Sequence, residues 1–194
     1  MTSIGNNAFD DCTSLSSITF EDGNQPLHIG FQDQISDKGP FYDSPLTNIA
    51  LYRELVYDYD NLDATDEGIF SNSKKLPTKV SLGGGLRTIL PYMFSETGVG
   101  AVLLSNGQYT AGSVWIPHTI ESIGDKAFYD CDRLAGLTLG YDGTINLPTI
   151  GTGVFDECEK FSYIKVRKKQ LQKFKDSSVW DAYESKFTTS NDFE

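Results

Sequence analysis

The side chains that could perform nucleophilic or metal chemistry are few, with three cysteines and two histidines among 194 residues. Cys12, Cys131 and Cys158 each lie three residues after a phenylalanine. After three other phenylalanines the same position holds Ser44, Ser73 and Thr97. A position shared by Cys, Ser and Thr is typical of a small site in a tight turn, where a free cysteine behaves as a small hydrophobic residue. We therefore expect all three cysteines to be reduced and buried, without a redox or metal-binding role.

Catalysis is the less favoured interpretation of the same residues. The histidines, His28 and His118, lie in turn-rich contexts, and a Ser–His–acid or Cys–His constellation requires groups that meet in space. No nucleophile motif is present in the sequence. Gly83-Gly84-Gly85 is not followed by the Lys-Ser/Thr pair of a phosphate-binding loop. The sequence therefore predicts no enzymatic activity and no cofactor.

An acidic segment at residues 58–67 is the best candidate for binding a metal ion. Calcium sites need several carboxylates that converge from one turn. Counted from Asp58, however, the fifth position is Leu62 and the twelfth is Ile69, where a calcium loop would have an oxygen ligand and Glu. We favour a solvated acidic loop, and calcium binding at 58–67 stays open.

The overall charge excludes several classes of partner. A formal net charge of −11 argues against binding to nucleic acid or to an anionic membrane surface. No run approaches the roughly 20 apolar residues that cross a bilayer, so we expect no direct membrane insertion. The acidic chain would favour a basic patch on a protein partner. No secretory leader is visible at Met1, and the chain starts inside a repeat, which favours a piece trimmed from a longer precursor over a protein that starts there.

A repeated segment organises the chain. Ile4 to Phe20, Ile123 to Leu139 and Ile150 to Val166 have the same internal distances between Ile-Gly, Phe, Cys, Leu and a final apolar pair. Three weaker units contain Phe41, Phe70 and Phe94 in the phenylalanine position. Self-similarity of this kind indicates a solenoid. We expect an α/β repeat fold of about six units, each with a short turn, such as a helical turn at residues 6–11, followed by a short strand.

The final apolar pair of each unit alternates with polar residues, which is the pattern of a strand. We expect six strands to form one parallel sheet. They are Ile18–Phe20, Ile49–Leu51, Val80–Leu82, Val102–Leu104, Leu137–Leu139 and Ile164–Val166. Asn106-Gly107 is a strong turn signal, so residues 101–116 form either a hairpin or an extra solenoid strand, and the sequence does not decide between them.

The C-terminal segment changes character. Residues 165–175 are basic, and Leu171, Phe174, Val179, Trp180 and Tyr183 follow near-helical spacing. A solenoid needs a terminal element that covers its last coil. We therefore divide the chain into a solenoid at 1–166 and a helical capping segment with a loose tail at 167–194. The basic run is interpreted as the solvated face of this cap rather than a binding patch.

The motif I-G-x-x-A-F-x-x-C-x-x-L-x-x-I-x-[FL] resembles the BspA-like, or Treponema pallidum-type, leucine-rich repeats. The match is close in three segments and covers nearly the whole chain, although Arg167 stands where the family often has Pro. The resemblance implies a secreted or cell-surface bacterial protein, in some members an adhesin. No catalytic residues come with it.

Two functions are compatible with this resemblance. The first is a non-enzymatic protein-binding module, with adhesion as one form of that binding, whose partner is an extracellular or host protein. The alternative is a structural spacer or stalk without a ligand of its own. A cluster of aromatic or charged side chains on the strands would favour binding, and a uniformly small and polar surface would favour the spacer.

Residues that point outward from the strands are the candidate ligand contacts, because alternate side chains lie on opposite faces of a strand. The outward positions are Ser17, Thr19, Asn48, Ala50, Tyr52, Lys79, Ser81, Ala101, Leu103, Gly136, Thr138, Tyr163, Lys165 and Arg167. Among the aromatic residues, Tyr52, Trp115 and Tyr163 are the expected anchors. Lys165 and Arg167 complete the predicted ligand-binding set.

Overall fold

A computed structural model describes residues 1–5, 7–30, 40–41, 43–57, 68–71, 76–141 and 147–190. The acidic segment 58–67 and Ser73 lie outside this part of the chain, so the expectations about them stay predictions. The described chain is a solenoid of parallel strands with few and short helices. This is the leucine-rich-repeat architecture that the spacing of the repeats predicts.

Each unit contains a short strand, a turn built around phenylalanine, and a longer strand. The strands are β1 (Ser3–Ile4), β2 (Ser17–Phe20), β3 (Leu27–Ile29), β4 (Asn48–Leu51), β5 (Leu55–Val56), β6 (Pro77–Leu82), β7 (Thr88–Ile89), β8 (Gly98–Val99), β9 (Ala101–Leu103), β10 (Tyr109–Ile116), β11 (Ser122–Ile123), β12 (Leu134–Leu139), β13 (Thr149–Ile150), β14 (Tyr163–Arg167) and β15 (Phe187–Ser190). The helical elements are a 3-10 helix at Lys168–Gln170, the α-helix α1 (Leu171–Lys175) and a 3-10 helix at Ser178–Lys186.

The long strands form two sheets, and the expectation of one parallel sheet is wrong. One sheet has the order β2-β4-β6-β8 and the other β15-β14-β12-β10-β9. Within each sheet the motif strands pair in the expected parallel register, with Ile18 beside Ile49 and Leu137 beside Ile164. The short strands also form two sheets, β1-β3-β5 and β7-β11-β13.

A hairpin explains why the long strands are divided. Val102–Leu104 does not occupy the solenoid position that its apolar residues predict, because β9 pairs antiparallel with the first part of β10. The last part of β10, around Val114, instead pairs parallel with β12 and occupies the fourth solenoid position. The hairpin interpretation of residues 101–116 is therefore correct, and its second strand also continues the solenoid.

The turns around the phenylalanines are not helical, contrary to expectation. In four units the residues two before and two after the phenylalanine have positive φ. They are Asn7 and Asp11, Tyr92 and Glu96, Lys126 and Asp130, and Gly153 and Glu157. The reversed backbone lets alternate N–H groups donate to the turn of the next unit, as from Phe94 to the Ala127 carbonyl at 2.9 Å. The turns therefore stack through hydrogen bonds as the strands do.

A stack of phenylalanine rings runs through the core. The rings of Phe9, Phe41, Phe70, Phe94, Phe128 and Phe155 follow one another with centroid distances of 5.1, 5.5, 5.6, 5.4 and 6.0 Å. Successive rings are inclined by 22° or less, so each one packs against its neighbours in an offset stack. This repeated contact explains why every unit has a phenylalanine at that position.

The C-terminal segment covers the last unit. Trp180 is buried, and its indole N–H donates to the Pro148 carbonyl at 2.9 Å. Tyr183 packs edge-on against Phe155, the last ring of the stack, with centroids 5.3 Å apart. The segment ends in β15, which pairs parallel with β14. The expectation of a loose tail from residue 188 is therefore wrong at residues 188–190.

Candidate protein-binding surface

The outward side chains of β2, β4, β6, β10, β12 and β14 form one surface, which we call the strand face. The strands in the described part of the chain contain three charged residues, Lys79, Lys165 and Arg167, and all three are cationic. The strand face is therefore locally basic in a chain with a net charge of −11. Carboxylates occur next to it, since Glu21 follows β2. The net charge of the chain favours a basic partner, whereas the charges of the strand face would favour an acidic one.

The three predicted aromatic anchors lie on the strand face, and each ring covers a glycine. A Cβ atom added to Gly83 would overlap the ring of Tyr52. A Cβ atom on Gly140 would lie 2.6 Å from Cζ2 of Trp115. The ring of Tyr163 lies over Gly136 in the same way, at 2.6 Å. The glycines therefore provide the space into which the rings pack against the sheet.

The anchors share one face but do not form a single pocket. Tyr52 follows β4, while Trp115 and Tyr163 belong to β10 and β14, so one other long strand separates each anchor from the next. With neighbouring hydrogen-bonded strands about 4.8 Å apart, Trp115 and Tyr163 are separated by about 10 Å along the solenoid axis, whereas Tyr52 lies on the other side of the break in pairing between β6 and β10. Tyr52 and Trp115 are exposed and Tyr163 is half-buried. The surface suits an extended contact rather than the enclosure of a small ligand.

The two predicted cationic contacts differ in environment. Lys165 is half-buried and its ammonium lies 5.9 Å from the centroid of the Tyr163 ring, which is a cation–π contact. Arg167 is half-buried beside Ser190 of β15, and its Nε is buried without a hydrogen-bond partner. Lys79 on β6 is exposed. Lys79 therefore offers the most accessible positive charge on the strand face, although it was not among the selected site residues.

A groove that the sequence analysis did not identify lies between β6 and β9. Its volume is about 350 Å3, and it is lined by residues 78–80, 100–103 and 113–115. Exposed apolar side chains cluster around it: Val102, Leu103, Leu104, Tyr109 and Trp115. One sequence signal could have indicated this region. Residues 97–120 contain no Asp, Glu, Lys or Arg, in a chain that is 22% charged.

A second groove lies at the first unit. It has a volume of about 440 Å3, and Phe9, Ile18 and Phe20 are among its lining residues. These side chains belong to the repeat motif of the first unit, whose outer side has no neighbouring unit within the described chain. Within the described chain, the groove is therefore the uncovered outer side of the first unit's core.

The cysteine position proves to be a hydrogen-bond donor site. The thiol of Cys158 donates to the Phe128 carbonyl at 2.8 Å, and that of Cys131 donates to the Phe94 carbonyl at 3.1 Å. Ser44 does the same towards Phe9 at 2.7 Å. In each case the acceptor is the phenylalanine of the preceding unit. The Thr97 hydroxyl donates instead to the Phe94 carbonyl of its own unit, at 2.7 Å. A hydrogen-bond donor is therefore what Cys, Ser and Thr share at this position, although the acceptor is not always in the preceding unit.

The cysteines are free, as expected, but not all of them are buried. Cys131 and Cys158 are buried, whereas Cys12 is half-buried in the first unit, which has one neighbouring unit within the described chain. Burial, followed by the proximity of Cys158, raises the pKa of the Cys131 thiol well above its usual value. His28 and His118 are exposed, in contrast to the buried thiols of Cys131 and Cys158. Within the described residues, no group of His, Cys, Asp and Glu is placed to hold a metal ion.

The fold and the strand face together define a leucine-rich-repeat solenoid with an extended outward surface. The family described as the BspA type leucine rich repeat region matches residues 1–109 and 105–191, with six copies. The chain therefore belongs to the BspA-type leucine-rich-repeat family. Members of this family occur often on bacterial surfaces and are typically non-enzymatic. No curated protein and no solved structure matches the chain.

The described helices were compared with the length and apolar character that crossing a membrane requires. No helix in the described part of the chain is long and apolar enough to cross a bilayer.

Proposed function

We propose that the chain is a non-enzymatic protein-binding module of a cell-surface or secreted bacterial protein and that the strand face contacts the partner. The observation that carries the proposal is the combination of three ring-on-glycine anchors with exclusively cationic charges in the strands. Aromatic residues that are partly exposed and held in place are typical centres of protein interfaces. The solenoid supplies the extended surface on which repeat proteins commonly bind.

The charge distribution specifies the partner further. Lys79, Lys165 and Arg167 would attract an acidic surface, while the net charge of the rest of the chain would repel an acidic protein that approached from another side. The partner we propose is therefore an extracellular or host protein with an acidic patch. Because such charges are partly exposed, added salt should weaken the contact and reduce the association rate.

The spacer function is the second candidate, and one observation favours it. Most outward residues of the long strands are small or polar, among them Ser17, Thr19, Asn48, Ala50 and Ser81. Such positions contribute little binding energy individually. A spacer would need only the stacked units and their cap.

A binding screen distinguishes the two functions. The whole chain would be immobilised and tested against extracellular matrix and plasma proteins, at low and at physiological salt. The test variant replaces the three anchors, Tyr52→Ala, Trp115→Ala and Tyr163→Ala. The matched control replaces Val56→Ala and Val179→Ala, two exposed apolar residues away from the strand face.

We expect the anchor variant to lose at least about tenfold in affinity, which corresponds to roughly 1.4 kcal/mol. The control should bind as the parent does. Binding that survives unchanged in the anchor variant would show that the strand face is the wrong surface. Failure of the parent to bind any protein in the screen would favour the spacer.

A further inference from the structure

The hairpin of β9 and β10 is not needed to continue the solenoid. The last residues of β10 alone complete the fourth long-strand position, so residues 101–111 form an added structure. This structure is apolar and exposed: Leu103 is 60% accessible, and Val102 and Tyr109 are each 45% accessible. Large apolar side chains clustered on a surface mark an interaction site.

The outer edge of β9 is open to another strand. β9 ends the order of its sheet, and its only pairing in the described structure is with β10. The Leu104 N–H donates to the Gln108 carbonyl, so the alternate residues Ala101 and Leu103 direct their N–H and C=O groups to the opposite edge. Native proteins usually protect such an edge with Lys, Pro or a bulge. Residues 101–104 contain neither Lys nor Pro.

This open edge faces the groove between β6 and β9. β6 pairs with β8 only at Pro77 and Thr78, so the described structure gives the remainder of this edge of β6 no strand partner. Val80 is half-buried, whereas Ile49 and Leu137 at the equivalent position are fully buried. The separation of β6 from the next long strand therefore exposes part of the core inside the groove.

The dimensions of the groove fit an extended peptide. It is bordered by three residues on each side, 78–80 and 101–103, which corresponds to about 10 Å at roughly 3.3 Å per strand residue. Three or four residues of an added strand would match this length. Among the described residues that line the groove, Lys79 is the one with a charge, so charge complementarity favours a segment with a carboxylate.

We infer that the groove between β6 and β9 binds an extended, acidic segment of a partner protein, which adds as a strand to the open edge of β9. Backbone hydrogen bonds to Ala101 and Leu103 would fix the direction of the segment, as in other cases of strand addition. Apolar side chains of the segment would cover Val80 and Val102, and its carboxylate would contact Lys79. The inference rests on the proposed function as a protein-binding module and names the chemistry of the partner.

A second copy of the chain is a poorer occupant. Its own hairpin lies within residues 97–120, which contain no carboxylate for Lys79. Two copies also each have a net charge of −11, which opposes their association. Self-association through β9 is therefore an outcome that would contradict the inference.

In the first experiment, a displayed library of random seven-residue peptides is selected for binding to the whole chain. We expect the enriched peptides to combine a carboxylate with alternating apolar residues. The Lys79→Glu variant should reverse the preference and enrich Lys or Arg at the same place. Lys160→Glu, which makes the same charge change at an exposed residue of another unit, should select the same peptides as the parent.

The second experiment tests strand addition with a synthetic peptide of the enriched sequence. N-methylation of alternate peptide amides should lower its affinity at least about tenfold, because it removes the hydrogen bonds that an added strand makes. N-methylation of the intervening amides, whose N–H groups point away from β9, should have a smaller effect. Binding should also change the fluorescence of Trp115, which lines the groove.

Several results would overturn the inference. They are the absence of enrichment, the same enriched set on the parent and on Lys79→Glu, and equal affinity of both N-methylated peptides. Sedimentation could instead show that the parent chain is a dimer. If Leu103→Lys disrupts that dimer and the control Val179→Lys does not, the open edge of β9 binds a second copy of the chain. The proposed function is tested separately with Tyr52→Ala and Tyr163→Ala, which lie outside the groove. A protein partner sensitive to those changes but not to Leu103→Lys, which alters the groove and not the strand face, would leave the strand face as the binding site and exclude the groove.

Discussion

Ser44, Cys131 and Cys158, each three positions after a phenylalanine, connect one unit to the one before it. The Cys158 thiol donates to the Phe128 carbonyl and accepts a hydrogen bond from the Cys131 N–H at 3.3 Å. The recurrence of Cys, Ser and Thr predicts a small site, but it does not reveal the acceptor. That acceptor lies in another unit, and only the stacking of the turns places it within reach.

The hydrogen bonds of Cys158 should therefore contribute to stability. We expect Cys158→Ala to lower the free energy of unfolding by about 1–3 kcal/mol, the usual effect of leaving buried polar groups unpaired. Cys158→Ser retains a donor and an acceptor and should lose less. Urea unfolding followed by circular dichroism measures both variants. If serine and alanine cost the same, the thiol acts by its volume alone.

Thiol reactivity should follow burial. In the native protein we expect Cys12 to react first with a disulfide reagent, because it is half-buried, while Cys131 and Cys158 are buried. The raised pKa of Cys131 reduces its thiolate fraction at neutral pH and slows it further. Labelling followed by mass spectrometry, with Cys12→Ser as the control, gives the order of reaction. Fast labelling of Cys131 in the folded chain would contradict the structure.

At the scale of the element, alternation of apolar residues locates β2, β4, β12 and β14 well, because those strands have one buried face. The same rule fails at β9. Ala101 to Leu104 is as apolar as the buried strands, yet Val102, Leu103 and Leu104 are exposed. Sequence periodicity predicts that a strand forms in each of two neighbouring apolar runs, Ala101 to Leu104 and the end of β10. Only the pairing with β12 decides that the second run occupies the solenoid position. The left-handed turns were also missed, since residues such as Lys126 and Glu157 give no local signal for positive φ.

The candidate site was predictable to a similar extent. Tyr52, Trp115 and Tyr163 were identified from alternation, and the structure places them on the strand face. Their glycine partners were not identified, because Gly83, Gly136 and Gly140 belong to other units and the contact depends on strand register. The groove was missed for the same reason, since it results from a pairing that ends at Thr78.

The cap should depend on one aromatic side chain. We expect Trp180→Ala to cost about 3–5 kcal/mol of stability, the usual range for a large buried aromatic residue. The variant also loses the hydrogen bond to Pro148. Val179→Ala is the matched control, because Val179 is exposed on the same 3-10 helix. If the Trp180→Ala variant has the same thermal unfolding temperature as the parent, the segment does not cap the core.

At the scale of the whole molecule, the solenoid has a seam between its third and fourth units. The short strands pair within β1-β3-β5 and within β7-β11-β13, and the described structure has no pairing between β5 and β7. The long strands are interrupted between β6 and β10 at the same junction. The two segments matched by the family, 1–109 and 105–191, meet at the tip of the intervening hairpin.

In the described chain, strand pairing across this seam is limited to two residues of β6, although other contacts cross it, such as the hydrogen bond from the Arg87 N–H to the Glu54 carboxylate. Another such contact is the stacking of Phe70 on Phe94 at 5.6 Å. The Tyr57 hydroxyl also donates to the Pro91 carbonyl. In a repeat protein, stability is approximately the sum of unit terms and nearest-neighbour interface terms. A weak interface should therefore let the three units on each side open separately.

This separation can be tested with one buried ring from each side. Phe41→Ala lies in the second unit and Phe128→Ala in the fifth, both rings are fully buried, and each change should cost about 3–5 kcal/mol. Because opening is local to one side of the seam, we expect Phe41→Ala to lower hydrogen-exchange protection mainly in β2, β4 and β6. Phe128→Ala should lower it mainly in β10, β12 and β14. Native-state hydrogen exchange with mass spectrometry resolves the two sets of strands. If both variants lose protection equally on both sides of the seam, the phenylalanine stack couples the two halves of the solenoid into one cooperative unit.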